Sequence, residues 1–384
     1  MKFYLSWMSS KRCIYSTMQS GWNHTTLGNI CEIINGRNQK AVEDVNGKYP
    51  IYGSGGIMGY ANDYLCKGGS TIIGRKGTIN KPIFVNTNFW NVDTAFGLSP
   101  KPGFAPRFFF YLCKSINWLK YNKSTTLPSL VKSDLQKIVV SVPGIKEQEK
   151  IAKELDLLSE IVQIKYSQLR DLDALAQSIF YEMFGNPVAN EKGWEKKKLG
   201  DVCTIERGGS PRPIQDFLTD APDGINWIKI GDAVAGSKYI SSTAEKIRPE
   251  GMRKSRFVHK GDFILSNSMS FGKPYILAVD GCIHDGWLVL RDNDDTFDKN
   301  YLYYYLSSPD LYNEFKRLAV GGVVNNLNSG LVRGVYVSIP PKKLQEEFAK
   351  RENEIESQRV LVRDSIKEVQ TLLDSRMNYY FAEV

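Results

Sequence analysis

Three short motifs in this 384-residue chain carry residue types that could do chemistry. Gly53-Ser54-Gly55-Gly56-Ile57-Met58-Gly59 has the glycine to wrap a phosphate, but its third glycine is off dinucleotide spacing and no strand–helix–strand context surrounds it. Gly272-Lys273 resembles the end of a phosphate loop, yet Pro274 stands where a Ser or Thr hydroxyl is required. Asp310 and Glu314, four apart in a helix-like run, form a surface pair. A metal-dependent nuclease would need carboxylates converging on hydrated magnesium from separate strands. Cys13, Cys31, Cys66, Cys113, Cys203 and Cys282 lie far apart without Cys-x-x-Cys spacing, which argues against a zinc site and a disulfide framework. Three histidines leave little for imidazole catalysis. No catalytic centre is visible.

What the chain does offer is basic, amide and hydroxyl side chains interleaved with glycine. Arg and Lys pair with guanine, Asn and Gln with adenine, and hydroxyls and other cations hold phosphate. The first half contributes Arg37, Lys40, Arg75, Lys76, Thr78, Asn80, Lys81, Lys123 and Ser124 as candidate DNA-contacting residues. The second half contributes Arg207, Arg212, Arg253, Arg256, Ser266, Asn267, Ser268, Lys273, Asn325 and Asn326. The Gly74-Arg75-Lys76-Gly77 turn and its counterpart from Ser266 to Lys273 are favoured, because glycine lets backbone approach a partner closely while polar side chains project. Net charge is +8, and residues 21–143 hold 14 basic against 6 acidic side chains, whereas residues 193–341 hold 19 against 18. Phe108-Phe109-Phe110-Tyr111 and Tyr303-Tyr304-Tyr305 read as core rather than as base-stacking platforms.

The elements that position these residues occur twice. Gly21-Trp22, Leu27-Gly28, Cys31, Ile33 and Gly36 recur 172 positions later as Gly193-Trp194, Leu199-Gly200, Cys203, Ile205 and Gly208. The offset then becomes 192, at Gly69/Gly261, Ile72/Ile264, Lys81-Pro82/Lys273-Pro274 and Asp93/Asp285. It ends near 197, at Pro143/Pro340, Gln148/Gln345 and Ala152-Lys153/Ala349-Lys350. Each copy begins with short β-rich runs broken by Gly, Asn and Pro, then an aromatic helical stretch (Arg107 to Leu119; Tyr301 to Leu318), then an apolar strand ending at proline.

A long helix closes each copy. Apolar residues fall at Ile151, Leu155, Leu158, Val162, Leu169 and Leu172, then at Phe348, Ile355, Val362, Ile366, Val369 and Leu373, in the alternating four-three spacing of a coiled-coil seam. Lys165 interrupts the first seam; Glu352, Arg359 and Arg376 interrupt the second. The two arginines either meet acidic residues of the first helix or mark a looser seam. The expected layout is an extension over 1–20, a domain over 21–143, a helix over 144–185, a linker over 186–192, a domain over 193–341 and a helix over 342–384. The fold class is α+β, with two similar mixed α/β domains separated by two antiparallel coiled-coil helices in a pseudo-two-fold repeat. Two related readers at fixed spacing suit a split, inverted DNA site whose half-sites differ. No run of eighteen apolar residues is present and residues 1–5 lack an apolar signal region, so a cytoplasmic, membrane-free location is expected.

These residues resemble the specificity subunit of type I restriction-modification enzymes. The resemblance rests on the two openings, Gly21-Trp22…Leu27-Gly28…Cys31 and Gly193-Trp194…Leu199-Gly200…Cys203. With them go Gly74-Arg75-Lys76-Gly77-Thr78-Ile79, Gly224 to Asp232, and the junctions Leu127-Pro128-Ser129-Leu130…Pro143…Glu147-Gln148 and Pro340-Pro341…Gln345. It covers residues 21–384; residues 1–17 lie outside it, and Met18 looks like the more natural start. The resemblance implies two target-recognition domains, each reading one half of a bipartite double-stranded DNA site. Their helices would set the spacer and dock two modification subunits, with restriction subunits joining that core. It also implies that the chain binds no cofactor, SAM, ATP and Mg belonging to the partner subunits of an adenine-N6 methyltransferase and ATP-dependent endonuclease. The adenine-methyltransferase signature Asn-Pro-Pro-aromatic is absent; Asn186-Pro187-Val188 is a helix stop. A self-contained restriction or methylation enzyme, and a coiled-coil scaffold that binds no DNA, are the competing readings.

Overall fold

The computed structural model describes residues 21–234, 236–267, 272–292, 294–319 and 327–381, so the N-terminal extension lies outside the described residues. The described residues divide into two compact units, those within 21–167 with 363–381, and those within 168–362. Each unit therefore holds one domain and a part of each long helix.

In the first unit, a four-stranded antiparallel sheet runs in the order Cys31–Asn35, Ala95–Pro100, Ser70–Gly74, Ile83–Val85. Ser70–Gly74 is buried at every residue. Cys31–Asn35, at the edge, alternates: Cys31 and Ile33 point into the core and Glu32 to solvent, the period-two signature of a half-covered strand. A second sheet joins Gly56–Ala61, Tyr49–Gly53 and, in parallel, Trp90–Asn91. The second unit repeats this plan with Cys203–Arg207, Trp287–Asp292, Phe263–Ser266 and Pro274–Leu277, and adds Tyr239–Ile240 as a parallel edge strand. Its other sheet is ordered Glu245–Ile247, Ile225–Ile228, Gly281–Ile283, Arg256–Val258. In each domain the first and last strands pair with each other: Asn23–Thr26 with Val139–Val142, and Glu195–Lys198 with Tyr336–Ile339.

The aromatic stretches are core helices. Pro106–Ser115 buries Phe108, Phe109 and Tyr111. In the second domain the expected single helix is two, Lys299–Ser307 and Pro309–Ala319. Pro309 has no N–H to continue the first and disfavours helical backbone at Ser308, whose hydroxyl instead accepts from the Leu311 N–H at 3.2 Å.

The long helices are Ile145–Phe184 and Lys342–Phe381, and all twelve seam positions are buried or half-buried. They are sealed into the domain cores as well as against each other. Ile151 and Leu155 share a cluster with Phe108, Leu373 and Phe381 in the first unit; Ala176, Phe180 and Phe184 share one with Tyr301, Phe348 and Ile355 in the second. The interrupting arginines do meet acids of the first helix. Arg376 pairs with Glu154, to which Tyr380 also donates at 2.6 Å, and Arg359 lies 2.8 Å from Asp173.

A glutamine fixes each helix start to its domain. The Gln148 side chain accepts from the Ala105 N–H at 2.9 Å and donates to the Pro143 carbonyl at 2.8 Å; Gln345 accepts from Asp298 at 2.7 Å and donates to Pro340 at 2.9 Å. Both are buried. Gln148→Met removes both bonds and strands two backbone groups, which should cost about 2 kcal/mol in urea unfolding. A loss below about 0.5 kcal/mol, the scale of an ordinary surface substitution, would show that the joint does not hold the helix.

Candidate nucleic-acid interface

At one end of each main sheet the two domains share a backbone frame, bond for bond. The Gly36 N–H donates to Ala95 at 3.2 Å, and that of Gly208 to Trp287 at 2.9 Å. Arg75 donates to Thr94 at 2.7 Å, and Asn267 to Gly286 at 2.9 Å. Ala95 donates to Val92 and Trp287 to His284; Leu130 donates to Arg75 and Leu327 to Asn267. Gly36 and Gly208 are required at this end, since a Cβ would fall 1.8 Å from the Val92 oxygen and 2.3 Å from the His284 oxygen. Four backbone segments thereby meet at one edge in each domain, at 36, 75, 92–95 and 130 in the first and at 208, 267, 284–287 and 327 in the second. The frame is constant while side chains differ, with Arg37 against Gly209 and Arg75 against Asn267.

In the first domain, the 74–80 turn and the 122–130 loop are laced together. Gly77, with φ +79°, donates to the Pro128 carbonyl at 2.9 Å, and Lys76 forms a bridge with Ser129. The Asn122 amide shapes the loop, accepting from Ser124 at 3.1 Å and Ser129 at 2.8 Å. Lys76, Thr78, Asn80, Lys81 and Lys123 are exposed along this edge. Asn80 also accepts from the Trp118 N–H at 2.9 Å, and Lys123 pairs with Asp134 at 3.3 Å. Arg75 is half-buried, its guanidinium over Phe96 and 3.4 Å from the Asp93 carbonyl. Exposed Arg37 adjoins the edge through its N–H bond to Asn91; Lys40 is exposed further along its loop.

In the second domain the edge centres on an acid. The Asp285 carbonyl accepts from Arg207 Nε at 3.0 Å and from the Asn267 amide at 2.9 Å. Its carboxylate accepts from Ser210 at 2.8 Å, with His284 Nε2 at 2.9 Å and Arg212 at 3.6 Å. Burial pushes Asp285 up, but the Ser210 bond and the neighbouring His284, Arg207 and Arg212 outweigh it and hold the carboxyl below its ordinary range. Burial is the main cause holding His284 below its own ordinary value, against the opposing pull of Asp285.

Several candidates turn inward or elsewhere. Ser266 and Asn267 are buried: the Ser266 hydroxyl accepts from the Lys273 N–H at 3.0 Å and Asn267 holds Asp285, so both build the edge instead of presenting themselves on it. Arg256 is paired with Glu206 at 3.1 Å. Arg253 and Lys273 are exposed. Ser268, Asn325 and Asn326 lie outside the described residues. Asp285 and His284 carry neither the basic nor the amide signature of a base-reading residue, although Asp285 is the repeat match of Asp93. No group of three metal-ligating side chains occurs among the described residues, and no described helix is long and apolar enough to cross a membrane.

A repeated frame carrying divergent polar edges defines a protein of paired recognition domains. The chain belongs to the type I restriction modification DNA specificity domain family, whose model matches residues 19–172 and 191–369. It is 24% identical over 331 residues, 83% of each chain, to a Haemophilus influenzae protein provisionally named a type I restriction enzyme specificity subunit. It is 24% identical over 303 residues to the MjaIX specificity subunit of Methanocaldococcus jannaschii, covering 72% of this chain and 67% of that one. Among solved structures, the S subunit from M. genitalium aligns with TM-score 0.58 at 15% identity, over 95% of this chain and 97% of that one. A chain from a study of type I complex assembly aligns with TM-score 0.57 at 18% identity, over 95% and 99%.

Proposed function

We propose that this chain is the non-catalytic reader of a type I restriction-modification complex, each domain reading one half of a bipartite double-stranded DNA site. The observation that carries this reading is the shared frame at the sheet ends with unlike side chains upon it. One scaffold then presents two different hydrogen-bonding edges, as two unlike half-sites require. The long helices set the spacer and dock two modification subunits, and restriction subunits join that core. Adenine-N6 methylation and ATP-dependent cleavage, with their SAM, ATP and Mg, reside in those partners.

Replacing residues 193–330 with another recognition domain should change one half of the methylated motif, read by methylome sequencing, and leave the other intact. A change in both halves would mean the domains do not read independently. The purified chain should neither methylate nor cleave DNA alone; turnover by this chain would overturn the non-catalytic reading.

A further inference from the structure

We infer that Asp285 is the positioning residue of the second recognition edge, holding Ser210 and Arg212 in the pose in which they meet the second half-site. This rests on the reading proposed above and deepens it.

The geometry is a hub. The Gly286 N–H donates to His284 Nδ1 at 2.9 Å, so the proton of a neutral His284 sits on Nε2, which faces Asp285 Oδ1 at 2.9 Å. That same oxygen takes the Ser210 hydroxyl at 2.8 Å, while Oδ2 lies 3.6 Å from an Arg212 guanidinium nitrogen. His284 thus has both ring nitrogens engaged and acts as a brace. Arg212 does not: its side chain is 77% exposed, and one contact with Asp285 leaves most of its five N–H donors free for a guanine edge. Arg207 and Asn267 are fixed through the Asp285 carbonyl, so side chain and backbone of one residue tie five side chains, those of Arg207, Ser210, Arg212, Asn267 and His284, to a single turn. A carboxylate beside a DNA-facing surface repels phosphate. Its presence there is accounted for by the donors it aims.

The opposing signs make the test. Asp285→Asn keeps the shape and an acceptor for Ser210 but removes the charge that orients Arg212. Affinities are measured at fixed salt with the full chain copurified with its modification subunits, on its methylome-derived duplex and on duplexes with either half-site scrambled. The expected result is discrimination of the second half-site reduced at least about tenfold, the loss of one bidentate base contact. Affinity for the duplex with a scrambled second half-site should be unchanged or higher, and discrimination of the first half-site should be intact. Arg212→Ala should lose the same discrimination, and Asp285→Asn should add nothing to it. Additive losses, a fall in first half-site discrimination, or unchanged discrimination by Asp285→Asn would each overturn the assignment. A wild-type complex that discriminates neither half-site would instead overturn the DNA-reading proposal itself.

Discussion

A chain given one extra heptad in each long helix, between Lys165 and Tyr166 and between Val362 and Arg363, will direct its modification subunits to half-sites set about three base pairs further apart. The heptad keeps the four-three seam in step. At 1.5 Å per residue it lengthens each helix by roughly 10 Å. B-DNA rises about 3.4 Å per base pair, so the proposed ruler calls for about three more. The half-site sequences should stay as they were, because neither domain is touched. The added pairs also turn one half-site against the other by about three tenths of a helical turn. Methylation is therefore expected to weaken while moving to the longer spacer. Methylome sequencing of cells carrying the doubly lengthened chain reads the result. Continued methylation at the original spacer would show that the helices do not set it.

The second large effect concerns stability. At Glu352 and Arg359 the second unit buries charge where the equivalent seam positions of the first unit, Leu155 and Val162, are apolar. Arg359 lies 3.1 Å from Glu352 and 2.9 Å from Glu356, and it donates to the Tyr304 hydroxyl at 3.0 Å; Lys238 lies 3.5 Å from Glu352. Arg359→Val alone takes the nearer of two cations from a carboxylate that is 1% exposed, leaving it Lys238 at 3.5 Å and the Tyr304 hydroxyl, and should cost about 3 kcal/mol. In a unit of this size the thermal midpoint should fall by roughly 10 °C. Replacing the whole network with Lys238→Met, Tyr304→Phe, Glu352→Leu and Arg359→Val should restore stability to the starting level or above, because desolvation of the ions is then avoided. A loss under about 1 kcal/mol for Arg359→Val, the size of a surface ion pair, would refute burial of the network.

Those residues also show where the sequence was legible. The repeat, the long helices and the aromatic core were readable because each rests on spacing: a constant offset, a four-three period, an apolar cluster. Gly36 and Gly208 were visible as matched glycines, though not the carbonyl that each must clear. The recognition edges were only half readable. Lys76 and Thr78 lie exposed in their glycine-bracketed turn, with Arg75 half-buried beside them. Ser266 and Asn267 have the same kind of signature, but Ser266 turns its hydroxyl to the Lys273 N–H inside the hairpin and Asn267 its amide to the Asp285 carbonyl. Composition cannot separate a hydroxyl that meets a partner from one that caps a strand, because both need the same donor and acceptor. Asp285 was missed for the converse reason: the role proposed for it lies in the donors around it, which are brought together from positions 207, 210, 212, 267 and 284.

The pairing of Asn23–Thr26 with Val139–Val142, and of Glu195–Lys198 with Tyr336–Ile339, has an evolutionary consequence. Each domain leaves its helical support and returns to it through neighbouring strands, as a side loop leaves a railway and rejoins the main line. The offset between the copies grows from 172 to 197 wholly between those two ladders, including the addition of the strand Tyr239–Ile240, and the glutamine joint beyond them is the same in both copies. Lengthening a closed loop costs little entropy once its ends are held together. Such a domain can gain, lose or exchange its inner sequence by recombination at the ladders while the helices keep their phase. Its specificity is then free to change at the pace of the sequences it must follow.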